Sequence, residues 1–172
     1  VALTQQFARV TPEYLERCRA TALDSPCAAP GWDPPPADLL DTGWAVWGLI
    51  RHCRRSGADP GTPALLDRAV SGDPDAAPGF LDHPDVHDGF GDPPRLLGPG
   101  AVAAVARGLD AIDTGALLAG LPDSPDEAAA VCGFGPWAGG DVRAHLVEHF
   151  DAMREFYRGA ARRGQCVVVW ID

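Results

Sequence analysis

DVRAHLVEHFDAMREFYRGAARRGQCVVVWID, residues 141–172, carries the two patterns that decide the fold. In its first part Leu146, Phe150, Met153, Tyr157 and Ala160 or Ala161 recur at the three- and four-residue intervals of one helix face. Asp141 follows two glycines and is placed to cap the helix, Arg158, Arg162 and Arg163 fill its last turns, and Gly164 stands where a left-handed residue ends it. After Gly164 the pattern changes to CVVVWI. This β-branched run is too short for another helix and typical of a strand buried on both faces. A long amphipathic helix followed by a buried strand makes the rest of the chain a matter of what packs around them.

Working back from there, Gly133–Gly140, GFGPWAGG, is a loop that carries Trp137 into the helix. Two short helices are expected before it. One lies in DTGALLAGL, and the other in SPDEAAAVC has Ser124 and Glu127 at capping-box spacing. Arg95–Leu97 reads as a strand running into Pro99, which starts the helix AVAAVARGLDAI. Residues 72–94 hold six aspartates among glycines and prolines and form the longest irregular stretch, of a length that is often functional. A helix is expected over 63–71, and another, from Asp41, over DTGWAVWGLIRHCRRSG, closed by Gly57. The loop DSPCAAPGWDPPP carries Trp32, expected to fold back onto the core. Nearer the start, Gln5–Val10 reads as a strand and Thr11-Pro12-Glu13 as a helix start with Tyr14, Leu15 and Cys18 facing inward.

The 172 residues suffice for one domain spanning 1–172, able to bury about two thirds of the unfolded surface. Net charge is −10, and the 14 basic residues are all arginine. This balance argues against nucleic acid or an anionic membrane as partner. The five cysteines are odd in number and lack a C-x-x-C pair, so buried thiols are expected rather than a zinc or redox site. With neither signal-peptide pattern nor long apolar run, cytoplasm is the expected location.

In order along the chain, ARVTPEYLE, DTGWAVWGLIRHCRRSG, RLLGPGAVAAVARGLDAI and LVEHFDAMREFYRGAARRGQCVVVWID resemble the YfbM-like family of small bacterial proteins, a domain of unknown function (1877). The resemblance covers most of the chain but consists of packing patterns, not a reactive motif. It implies an α+β fold, a single mostly helical domain around a small sheet holding the N-terminal and C-terminal strands, and it implies no assigned activity. The chain departs from the family pattern in the 72–94 loop and in Gly98-Pro99-Gly100, where a TPE-like helix start is usual.

Few residues suggest chemistry. His145, Glu148 and His149 match H-x-x-E-H, the inverted zinc-protease signature, and the histidines lie one turn apart on a helix as metal ligands would. A third ligand is required, and the residues after His149 are spent completing the helix and the strand. His83 and His87 lie among Asp82, Asp85, Asp88 and Asp92 without calcium-loop spacing. No G-x-S-x-G or phosphate loop occurs, and Cys53 beside His52 points about 100° away from it on a helix. Trp32 and Trp137 stand on loops, where recognition residues concentrate. If these loops met the Trp44 helix at one rim, they would form an apolar pocket edged with Asp, suited to a small or cationic ligand.

The sequence thus points to a non-catalytic domain that binds a protein partner or small ligand through Trp32, Trp44, His83, His87 and Trp137, with no metal and no cofactor. A neutraliser of a basic toxin is one version. The alternative is a metal-dependent hydrolase built on His145, Glu148 and His149. Oligomeric state is not encoded legibly.

Overall fold

A computed structural model describes residues 3–57 and 59–172. The chain enters as β1 (Gln5–Val10) and turns at Thr11, whose side chain accepts the Tyr14 N–H at 3.1 Å, into α1 (Pro12–Asp24). β2 (Leu39–Asp41) leads to α2 (Ala45–Ser56) and α3 (Gly61–Ser71); β3 (Arg95–Leu97) leads to α4 (Pro99–Asp110), α5 (Thr114–Leu117) and α6 (Pro125–Cys132). α7 (Val142–Arg162) and β4 (Cys166–Ile171) close the chain. The strands form one antiparallel sheet in the order β2-β1-β4-β3. This is the α+β architecture that the family resemblance implies, with the two terminal strands paired at its centre.

Strand alternation divides the apolar interior in two. Phe7, Leu97, Val167 and Val169 face the larger core, built from α2 to α7. Ala8, Val10, Cys166, Val168 and Trp170 face a smaller one, closed by Leu15 of α1 and by Leu81 and Val86 of the long loop. β4 is buried on both faces as its composition requires. The 72–94 loop is therefore a cover for the second face of the sheet. It is held there by Asp73 N–H to Leu96 O at 3.3 Å, Leu96 N–H to Ala76 O at 2.8 Å and Asp88 N–H to Asp172 Oδ1 at 2.6 Å.

α7 is the organising element. Asp141 caps it, accepting from Arg143 N at 2.9 Å and Ala144 N at 3.3 Å, and Gly164 takes φ +62° just beyond its end. Leu146, Phe150, Met153, Tyr157 and Ala160 form its buried stripe, joined by Val142, Phe156 and Gly159. Its polar side chains also finish other helices. Tyr157 donates to Ala69 O in the last turn of α3 at 2.7 Å. Arg154 donates to Leu109 O and Ile112 O behind α4, and Arg143 to Leu118 O and Leu121 O behind α5. Carbonyls at and just beyond these helix ends thus gain a donor on α7, as the sole partner for Ala69 O and beside a backbone N–H for Leu109 O and Leu118 O.

Several local expectations change. β2 has no clear sequence signal, and Asp41 belongs to it rather than to α2: its carboxylate accepts the Gly43 N–H at 2.7 Å, Gly43 turns at φ +53°, and the helix starts only at Ala45. α3 begins at Gly61, two residues before the expected start. Ser124 is the N-cap of α6 but its hydroxyl makes no capping bond, so the capping box is not formed. Gly98-Pro99-Gly100 still starts a regular helix at Pro99. Among the cysteines, all free, Cys27 is exposed while the other four are buried.

Candidate functional site

The residues singled out in the sequence do not converge on one rim. Trp32 folds back as expected, and its ring meets Tyr14 and Trp170 edge-on at 5.7 and 6.1 Å over the smaller core. On the same side, His87 is buried. Its Nδ1 accepts the Gly89 N–H at 3.2 Å, so Nε2 carries the proton and donates to Asp82 at 3.1 Å. His83 accepts the Asp85 N–H at 3.1 Å. These two histidines serve the loop's own conformation. Trp44 and Trp137 lie on the other side of the sheet, with the larger core.

There the second turn of the H-x-x-E-H pattern is a packed aromatic corner. Trp137 stacks on Phe134 with centroids 5.3 Å apart, donates its indole N–H to Gly140 O at 2.7 Å, and meets His145 edge-on at 5.1 Å. The His145 and His149 rings are 4.3 Å apart, and His149 Nδ1–H donates to His145 O at 2.9 Å. Burial, with His149 adding to it, holds His145 below the usual histidine value, against an opposing pull from Glu148. Glu148 is exposed. Among the described residues no group of three or more His, Cys, Asp or Glu is placed to hold a metal ion, so the motif lacks its third ligand.

A groove opens between α2 and the end of α6, with a volume of about 530 Å³. Trp44, 40% exposed at the start of α2, stands at its mouth, with the Trp47 ring 6.4 Å away. The opposite wall is Phe134. Its ring rests on the backbone of Gly48, where a Cβ would come within 2.4 Å of Cζ. Gly133 ends α6 at φ +78°, and a Cβ there would come within 2.6 Å of Arg51 Nη1, so the guanidinium lies against this turn. Arg54 and Arg55 complete the far end. The rim is therefore arginine, not the aspartate expected from composition. Cys132 in the lining is pushed up to about 11, by burial first and by Cys53 second, which leaves it a neutral thiol rather than a nucleophile at neutral pH.

Arg51, Arg54, Arg55 and Phe134 were not singled out by the sequence, although a signal existed. Trp44, Trp47, Arg51 and Arg55 share one face of α2 at three- and four-residue steps, beside the buried stripe of Ala45, Leu49 and Cys53. Helix-terminal arginines have an ordinary role in opposing the helix dipole, and that role hid the second stripe.

With this geometry in view, the comparisons place the chain. The model of a domain of unknown function (DUF1877) matches residues 33–170. The chain belongs to the DUF1877 family. The solved structure titled as a protein of unknown function, YfbM from Escherichia coli, superposes with a TM-score of 0.58 at 17% identity, covering 98% of this chain and 99% of that chain. Such a likeness at this identity shows a shared fold. No curated protein matches. No described helix is long and apolar enough to cross a membrane.

Proposed function

We propose that this DUF1877 member is a non-catalytic binding domain, one unit over residues 1–172, and that the groove between α2 and α6 is its ligand site. The observation that carries this reading is the half-exposed indole of Trp44 beside a cleft of about 530 Å³ whose other wall is an aromatic ring seated on a helix glycine. Pockets of a few hundred Å³ with apolar walls and a few placed polar groups suit small molecules. A large aromatic left partly in water at such a cleft is a common recognition element.

The toxin-neutraliser version has less support. Asp73, Asp82 and Asp92 of the acidic loop are engaged by Arg68, His87 and Arg95, and the groove presents cations. The net charge of −10 supports a ligand other than nucleic acid. The test is ligand screening by amide NMR on the wild type and on Trp44→Ala. Hits are expected to move Gly48, Gly133 and Phe134 and to be lost in the variant. Hits that cluster instead at His145 and His149, with stoichiometric zinc lost in His149→Ala, would replace this reading with the hydrolase.

A further inference from the structure

Resting on that ligand site, we infer that the groove selects a small anion, a carboxylate or phosphate carried on a flat apolar body. The exposed stripe of α2 is graded. Trp44 and Trp47 occupy its first turn, Arg51 its middle and Arg55 its last, over about 16 Å of helix. An apolar body lying along Trp44 and Phe134 would therefore extend its polar end toward the guanidinium groups.

The charges at that end are conspicuous for what they do not contact. Most arginines elsewhere are held by carboxylates, such as Arg9 by Asp38 at 2.8 Å, Arg68 by Asp73 at 2.7 Å and Arg158 by Asp110 at 2.7 Å, and the exceptions Arg17, Arg107 and Arg143 are spread over three different helices rather than gathered at one cleft. Arg54 reaches only Asp67, at 3.8 Å between two solvated side chains. Arg51 and Arg55 form no ion pair among the described residues. In a chain with 24 acidic and 14 basic residues, a cleft that gathers three cations with a single long carboxylate contact among them is complementary to an anion from outside. The helix dipole accounts for arginine in the last turn of α2. It does not account for Arg51, two turns into the helix and laid against Gly133. Guanidinium groups offer paired N–H donors matched to carboxylate and phosphate oxygens. The acidic remainder of the surface repels a polyanion and leaves a small one as the fitting occupant.

The probes are naphthalene-2-carboxylate and its neutral isostere naphthalene-2-carboxamide, titrated into the intact protein and followed by the amide signals of Gly48, Gly133 and Phe134. The carboxylate is expected to bind about tenfold or more tighter than the carboxamide, and to weaken as salt rises from about 50 to 500 mM while the carboxamide does not. Arg51→Gln with Arg55→Gln should bring the carboxylate down to the carboxamide's affinity. Arg55→Gln alone, remote from the Gly133 contact, should give part of that loss with an otherwise unchanged spectrum. Equal affinity of the two probes, or a carboxylate indifferent to both substitutions, overturns the anion inference and leaves the ligand site standing. Groove signals unmoved by either probe overturn both.

Discussion

Tyr157→Phe tests whether α7 holds the fold together through its polar groups as well as its apolar stripe. Tyr157 is fully buried, and its hydroxyl donates to Ala69 O at 2.7 Å. Within α3 that carbonyl has no other donor: the Gly72 N–H goes to Arg68 O and the Asp73 N–H to Leu96 O. The Phe ring would keep the edge contact with Phe7 at 6.4 Å and with Phe156 at 6.3 Å, so the loss is confined to one hydrogen bond and one stranded acceptor. That costs about 1–3 kcal/mol, or roughly 3–10 °C in Tm for a chain of this length. Burial, with Asp73 adding to it, pushes the phenol far above its ordinary value. The sign of the pH dependence follows: the raised group contributes fully below about pH 10, where the unfolded tyrosine is also neutral. That contribution is lost above pH 10 as the unfolded chain ionises and the folded one does not. Chemical denaturation of both proteins at pH 8 and pH 11 should therefore show the variant's deficit shrinking by about 1.4 kcal/mol at the higher pH. Tyr14 and the thiols titrate in both proteins and cancel. A deficit below about 0.5 kcal/mol at pH 8, or one unchanged at pH 11, would refute the buried-donor account.

Two further outcomes follow from the same structure. Arg154→Lys keeps the charge but cannot reach Leu109 O, Ile112 O and Thr114 Oγ1 together as the guanidinium does at 3.2, 2.8 and 3.3 Å, so a loss of about 1–2 kcal/mol is expected in urea melts, insensitive to salt. His52 is buried with Nε2 unpartnered, and burial holds it below the ordinary histidine value. Its neutral form thus contributes fully above about pH 6.5 and stability falls as pH drops below it, with His52→Gln showing a shallower decline between pH 7 and 5; parallel declines would show that another group is responsible.

Much of the architecture was legible because it rests on local rules. The intervals of Leu146, Phe150, Met153 and Tyr157, the capping residues Asp141 and Gly164, the CVVVWI run and the Thr11-Pro12 helix start each follow from side-chain periodicity and backbone preference within a few residues. β2 was not legible, since three residues that pair only with β1 at the sheet edge carry no periodicity of their own. Nor was the role of the 72–94 loop, whose Leu81 and Val86 become core only because the far side of the sheet must be covered.

For the candidate site the division is sharper. The sequence by itself put Trp32 and Trp137 on loops and Trp44 beside a helix, and showed no nucleophile or phosphate motif with them. Which tryptophans share a space was decided by tertiary structure alone. Strand alternation sends Trp170, with Trp32 upon it, to one face of the sheet, while Gly48 admits Phe134 against α2 and brings residues more than eighty positions apart into one wall. Local pattern sets which face of an element is apolar. Where two faces meet, and which charges are left between them unpaired, depends on the packing of the whole chain.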